Sequence, residues 1–169
     1  WYSKAEFLLC LLDSVLGQSM QEIEIICVND GSTDNSGEII RSFMDRDSRI
    51  MLLEQPNINA GAARNQGLLH ARGKYVVFWD ADDQFHRRAL ELMCRKMQRT
   101  QADICVCGVC EFVQGGKMYE ADGYLKTEFI PDKDPFNKFD LRDTIFNFGS
   151  NMVWNKMFRR KFLVSHQLR

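Results

Sequence analysis

The stretch YVVFWDADDQF, residues 75–85, passes from an apolar run to carboxylates in a single step. Tyr75 to Trp79 is β-rich and suited to burial, and Asp80, Asp82 and Asp83 follow at once. Carboxylates held together repel unless something neutralises them. A solvated turn that caps the next helix does so with water; a bound cation does so with charge. Asp80 and Asp82 stand two residues apart. In extended backbone that spacing turns both side chains to one side, where they can face one ion. Oxygen ligands suit hard ions such as Mg2+ or Mn2+, and an ion held by one or two carboxylates usually completes its shell with substrate phosphates. The pattern points to a phosphorylated ligand.

Strand and helix signals alternate outward from this stretch. AEFLLCLLDSVLGQ carries Phe7, Leu8, Leu11, Leu12, Val15 and Leu16 at helical spacing, and Gly17 ends the pattern. EIEIICVN reads as a strand covered on both faces, and DGSTDNSG is dense in turn and cap residues. EIIRSFMDR reads as a short helix, and RIMLLEQ as a strand closed by Pro56. NAGAARNQGLLHARG predicts a helix capped by Asn59 and stopped by Gly73, and RRALELMCRKMQRT predicts another. The alternation from residue 5 to about residue 110 argues for a parallel, doubly wound α/β sheet. Beyond it, DICVCGVCEFV reads as a strand, VQGGKMY as a hairpin, TEFIPDKDPFNKFD as loop, and LRDTIFNF and NMVWNKMFRRKFL as helices.

Ligands of open α/β sheets bind beyond the carboxyl ends of the strands. Two strand segments end in acid there, one at Asp30 and one at Asp80, so parallel strands would bring both to one rim. In NDGSTDNS, Asp30 can accept from a base N–H and Gly31 permits a tight turn. In NAGAARNQG, Gly61, Ala62 and Ala63 open a helix whose start favours anions, and Arg64 can pair with a phosphate or carboxylate. Taken singly, each also reads as ordinary capping, close packing or surface charge.

The bulk composition narrows the choices. The chain has 169 residues, 45% hydrophobic and 27% charged, which suits one domain with a sizeable core. A net charge of -1 gives no global field toward nucleic acid, and no apolar run reaches the length that spans a bilayer. There is no secretory leader, and an opening on Trp1-Tyr2 suggests that the true start lies upstream. Cys105, Cys107 and Cys110 fit no common zinc spacing and read as small buried hydrophobes; six cysteines without small-scaffold spacing suggest a reducing, cytoplasmic setting.

The order EIICVNDGSTDNS, NAGAARNQGL, ARGKYVVFWDADD resembles the nucleotide-binding half of family 2 glycosyltransferases, the inverting GT-A-fold enzymes. LDSVLGQS is similar to the family's first helix, and VWNKMFRRKFL to the segment before the acceptor half in many bacterial members. The resemblance implies a Rossmann-like GT-A fold, a mainly parallel sheet with helices on both faces. It places the nucleotide-sugar half over residues 1–110 and the start of the acceptor side over 111–169, within one structural domain. It implies transfer of a sugar from a nucleotide diphosphate sugar, UDP-linked above all, to an acceptor hydroxyl. Nucleotide-binding residues would be Tyr2, Asp30, Arg64 and Asp80; metal ligands would be Asp80 and Asp82, with Mg2+ or Mn2+. The acceptor would be a carbohydrate or lipid-linked sugar in polysaccharide biosynthesis, in the cytoplasm or at the inner face of the membrane. Trp154 and Lys156 match a recurring pair to which no role is assigned.

Two departures from the family pattern matter. Members begin with a hydrophobic strand ending near Tyr2; it is central in the sheet, so its absence should leave apolar surface open. The family's catalytic base is an acid in a later motif, expected beyond Arg169, so the chain is expected to be part of a longer protein. Asp140, Asp143 and Glu128 read as surface charge rather than as that base. Two other readings remain: a nucleotidyltransferase, which would show a glycine-rich phosphate loop near its start, and a non-catalytic nucleotide-binding fragment. The lack of G-x-G-x-x-G after a strand argues against a dinucleotide-binding dehydrogenase.

Overall fold

The computed structural model describes residues 2–113, 117–141 and 148–168. Among the described residues five α-helices and seven strands follow in order: α1 Ala5–Leu16, β1 Ile25–Asp30, α2 Ser36–Met44, β2 Ile50–Gln55, α3 Ala60–His70, β3 Tyr75–Val77, α4 Ala89–Thr100, β4 Ile104–Val106, β5 Cys110–Val113, β6 Lys117–Glu120, β7 Lys156–Arg159 and α5 Arg160–Ser165. α1 buries Leu8, Leu11, Leu12 and Val15, the stripe its spacing predicts, and leaves Phe7 exposed. The stripe packs with Cys27, Ile40, Phe43 and Ile50, so α1 and α2 cover one face of β1 and β2. Full burial of Leu8, Leu12 and Ile40 stabilises by about 1.5–3 kcal/mol each. α3 covers the opposite face, where the backbone of Gly67 lies against Val28. Leu90, Met93, Cys94 and Met97 of α4 form a second core with Met157 of β7.

β1 and β2 pair in parallel from Ile25↔Ile50 to Asp30↔Gln55. β3, β7 and β4 form a separate ladder in which β7 lies antiparallel between the other two, with Tyr75↔Arg159 and Ile104↔Phe158 in register. β1 and β3 nevertheless run side by side in one direction. At their starts, Glu24 accepts from the backbone N–H groups of Arg72 (2.7 Å) and Gly73 (2.6 Å). Beyond their ends, residues 3–5 bridge the two: Ser3 N–H donates to Ser32, Ala5 N–H to Asp34, and the Lys4 ammonium to Asp82. A cavity of about 810 Å³ lies between β1 and β3, walled by Leu11, Leu12, Ile25, Cys27, Val77 and Leu90 among others.

Two sequence expectations need correction. NMVWNKMFRRKFL is not one helix: Lys156–Arg159 is strand β7 and only Arg160–Ser165 is helical. Two short strands, β3 and β4, each take β7 as partner, and this pairing outweighs local helical preference. β7 also means that the sheet of the first half is completed by residues past 110. DICVCGVCEFV divides into β4 and β5, which take different partners: β4 pairs with β7, its register carried one step further by Cys107 N–H donating to the Asn155 carbonyl at 3.0 Å, and β5 pairs with β6. β5 and β6 pair antiparallel as the hairpin requires, while Gly115-Gly116 and residues 142–147 of LRDTIFNF lie outside the described residues. All six cysteines are free; Cys27 and Cys94 are buried, whereas Cys10 and Cys110 are exposed. Burial pushes the Cys27 thiol up to about 12 and Cys105 up to about 11, so both stay protonated and inert.

Candidate functional site

β1 delivers Asp30 to the rim, and the loop after it is shaped by backbone demands. Asn29 accepts from Ser32 N–H at 3.0 Å, and Gly31 turns at φ +71°. A Cβ at Gly31 would stand 2.6 Å from the backbone nitrogen of Asn57, so only glycine fits this turn. Asp30 is buried and accepts from Ile58 N–H at 3.0 Å and from the Gln55 amide at 2.7 Å. Those bonds, the Ile58 N–H first, hold its carboxyl below the usual range, so it is ionised at neutral pH.

From Ile58 the chain enters α3, where Asn59 caps the helix by accepting from Ala62 N–H at 2.8 Å. One turn on, Arg64 forms an ion pair with Asp80 at 2.7 Å. Asp80 opens the turn after β3, closed by Asp83 N–H donating to its carbonyl at 3.3 Å. Trp79 and Phe85 stack with centroids 3.6 Å apart and clamp the two ends of that turn, while Ala81 is buried beneath it. Asp82 projects outward and pairs with Lys4 at 2.7 Å. The Lys4 hydrogen bond holds the Asp82 carboxyl below its ordinary value, and Asp82 in turn raises the lysine. Asp83 is pushed the other way, to about 6, by burial and then by the neighbouring Asp80 and Asp82 charges.

The acid cluster is therefore neutralised by a guanidinium and an ammonium drawn from α3 and from the residues before α1. Among the described residues no group of three or more His, Cys, Asp or Glu side chains could hold an ion by themselves. Each of Asp80 and Asp82 engages its cation through a single carboxylate oxygen. Two carboxylates with oxygens to spare suit a hard ion that draws its remaining ligands from a substrate diphosphate.

Of the residues singled out from the sequence, Arg64 and Asp80 touch directly, and Asp30 joins them through the Ile58–Asn59 start of α3. Tyr2 is 46% exposed, next to Ser3, which bonds the loop after β1. Trp154 and Lys156 have packing roles: Trp154 meets Tyr124 edge-on at 4.9 Å, and the Lys156 ammonium donates to the carbonyls of Ser150 (2.7 Å) and Met152. Asp140 accepts from Lys133 and Asn137 N–H at the surface, and Asp143 lies outside the described residues. Lys4 was not legible: its partner lies 78 residues away.

A family model described as Glycosyl transferase family 2 matches residues 1–164. The chain belongs to glycosyl transferase family 2. It is 34% identical to the glycosyltransferase GlyA of Streptococcus pneumoniae over 164 residues, covering 95% of this chain and 23% of that protein. It is 32% identical over 171 residues to the putative glycosyltransferase EpsH of Bacillus subtilis, covering 99% and 47%. The chain thus spans less than half the length of these curated relatives. Among solved structures, TarS of Staphylococcus aureus in complex with UDP-GlcNAc superposes with a TM-score of 0.79 at 21% identity, covering 99% of this chain and 45% of TarS. The mannosyltransferase PcManGT of Pyrobaculum calidifontis, in complex with GDP-Man and Mn2+, gives 0.59 at 24% identity over 63% of this chain and 33% of its own. These likenesses show the GT-A fold expected of a family 2 chain, with its Rossmann-like α/β core.

Proposed function

We propose that this family 2 chain is the nucleotide-sugar-binding part of a metal-assisted inverting glycosyltransferase that uses a UDP-sugar. The observation that carries the reading is the shared rim: Asp30 ends β1, while the Arg64–Asp80 and Lys4–Asp82 pairs cluster beyond β3. Asp30, ionised and facing amide donors, suits the N–H of a uracil base. Asp80 would lie by the ribose and the ion, Asp82 would be the surer ion ligand, Arg64 would face the phosphates, and Tyr2 would pack by the nucleotide. Mg2+ or Mn2+ on Asp80 and Asp82 would supply charge stabilisation of the leaving diphosphate. Lys4 and Arg64 would then be free to move onto phosphate oxygens, keeping the rim electrically balanced. The complexes of TarS with UDP-GlcNAc and of PcManGT with GDP-Man and Mn2+ support a nucleotide diphosphate sugar and a divalent ion.

The acceptor oxygen would attack the anomeric carbon as the bond to the diphosphate breaks, with its proton passing to a carboxylate acting as general base. A carbohydrate or lipid-linked acceptor and a cytoplasmic setting belong to this reading. No described helix is long and apolar enough to cross a membrane. A thermal-shift comparison of UDP-, GDP- and ADP-sugars, each with and without Mn2+, tests it. Stabilisation by UDP-sugars only when Mn2+ is present supports the reading; equal response to all, or none by folded protein, refutes it.

A further inference from the structure

The edge of the sheet opposite the acid rim carries a second cluster of charge. Arg72, Lys74, Arg159, Arg160 and Lys161 line a recess of about 390 Å³. The antiparallel register brings them together: Tyr75 faces Arg159, Arg160 N–H donates to the Lys74 carbonyl at 3.0 Å, and the Arg160 guanidinium donates to the Gly73 carbonyl at 2.9 Å. From Tyr75 to Asp80 is five residues of nearly extended chain, so the recess lies about 17 Å from the nucleotide rim.

Its charge is only partly compensated. Arg72 pairs with Glu24 at 3.3 Å and Arg159 with Asp103 at 3.0 Å. Lys74, Arg160 and Lys161 have no acid partner among the described residues. Lys74 and Arg159 already take the face of the Tyr75 ring, at 5.4 and 5.8 Å, so no free aromatic platform is offered to a nucleic-acid base. Two exposed aliphatic side chains stand close to its lining residues along the chain. Val164, 57% exposed, follows Lys161 by one turn of α5, and Leu69, 69% exposed, precedes Arg72 at the end of α3. In a chain whose net charge is -1, five cations at one edge, with exposed Leu69 and Val164 each three residues from one of them, make a local basic surface rather than a general one.

We propose that this edge is a membrane-contact surface, with the recess receiving the phosphate of an anionic phospholipid headgroup and Leu69 and Val164 reaching the interfacial layer. The sheet then stands on the bilayer with its acid rim turned toward the aqueous side, where a soluble anionic donor approaches without crossing the lipid's own negative field.

The test is co-sedimentation with vesicles of phosphatidylglycerol mixed into phosphatidylcholine, against phosphatidylcholine alone. Each basic side chain near such a surface raises partitioning about fivefold, and salt screens the effect. Binding to the anionic vesicles that falls with added salt is expected. Lys74→Glu with Lys161→Glu, two exposed lysines outside the rim, should lower it at least tenfold while thermal midpoint and UDP binding stay unchanged. Leu69→Ser with Val164→Ser should lower it severalfold. Equal binding to neutral vesicles, or full binding by the lysine variant, overturns the proposal. So does release by inorganic phosphate or by an oligonucleotide at matched ionic strength, which would assign the recess to a soluble phosphate or to nucleic acid.

Discussion

Replacing Lys4 with methionine separates the two ways in which the rim carboxylates can be neutralised. The Lys4 ammonium holds Asp82 at 2.7 Å, with side chains 38% and 44% exposed. An exposed pair of this kind contributes about 0.2–1 kcal/mol, so the variant should lose no more than that in stability. Its effect on a divalent ion runs the other way. An ion bound to Asp82 would sit within about 5 Å of the ammonium, and in water a 2+ ion and a single positive charge at that distance repel by roughly 1–2 kcal/mol. Lys4→Met removes both this repulsion and the competing hydrogen bond. Calorimetric titration of Mn2+ into the chelator-treated protein, without nucleotide, should therefore show affinity raised about tenfold. The Asp82 carboxyl, no longer held down by the lysine, should also titrate closer to its ordinary value in a carbon-detected NMR titration. Unchanged or weaker Mn2+ binding with the fold intact would mean that Asp82 does not hold the ion, and the charge-exchange picture of the rim fails.

Three further substitutions probe what positions the rim. Gly31→Ala forces a side chain into φ +71° and to 2.6 Å from Asn57 nitrogen, and the backbone conformation alone costs about 1–2 kcal/mol, so urea denaturation should show a loss above that figure. Gln18 is buried and ties α1 to the start of α4, donating to the His86 carbonyl at 3.0 Å and accepting from Leu90 N–H at 3.2 Å; Gln18→Leu should lower stability by about 1–3 kcal/mol because Leu90 N–H loses its partner, while the His86 carbonyl keeps Ala89 N–H. Burial alone would raise the Glu24 carboxyl, but the N–H groups of Arg72 and Gly73 outweigh it and hold the group below its ordinary 4.5. A depressed carboxyl stabilises fully above the unfolded value and loses that contribution as pH falls through the folded one. Glu24→Gln should flatten the acid limb of a stability–pH profile below pH 4.5, with little change in its shape near neutrality.

The helices with a one-sided apolar stripe could be read from the chain because their own spacing decides them: α1 buries the residues its period predicts, and Asn59 caps α3 through a bond only three residues long. Asp30 and Asp80 could be placed at strand ends for the same local reason. What escaped depends on partners distant in sequence. β7 carries no clear alternation, and it is a strand because β3 and β4 flank it. The break after β4 exists because β4 and β5 pair with different strands, β7 and β6. Lys4 sits before a helix where a lysine is unremarkable, and only the folded chain brings it to Asp82. The burial that pushes Asp83 up to about 6 comes only with the fold, although the crowding of three acids was visible from the start.

Titration of UDP into the protein with and without Mn2+, repeated for Asp82→Ala, tests the central claim most directly. Saturable binding that requires Mn2+ and disappears in the variant is the expected result. Binding of the same affinity without the ion, or untouched by loss of the Asp82 carboxylate, would contradict it.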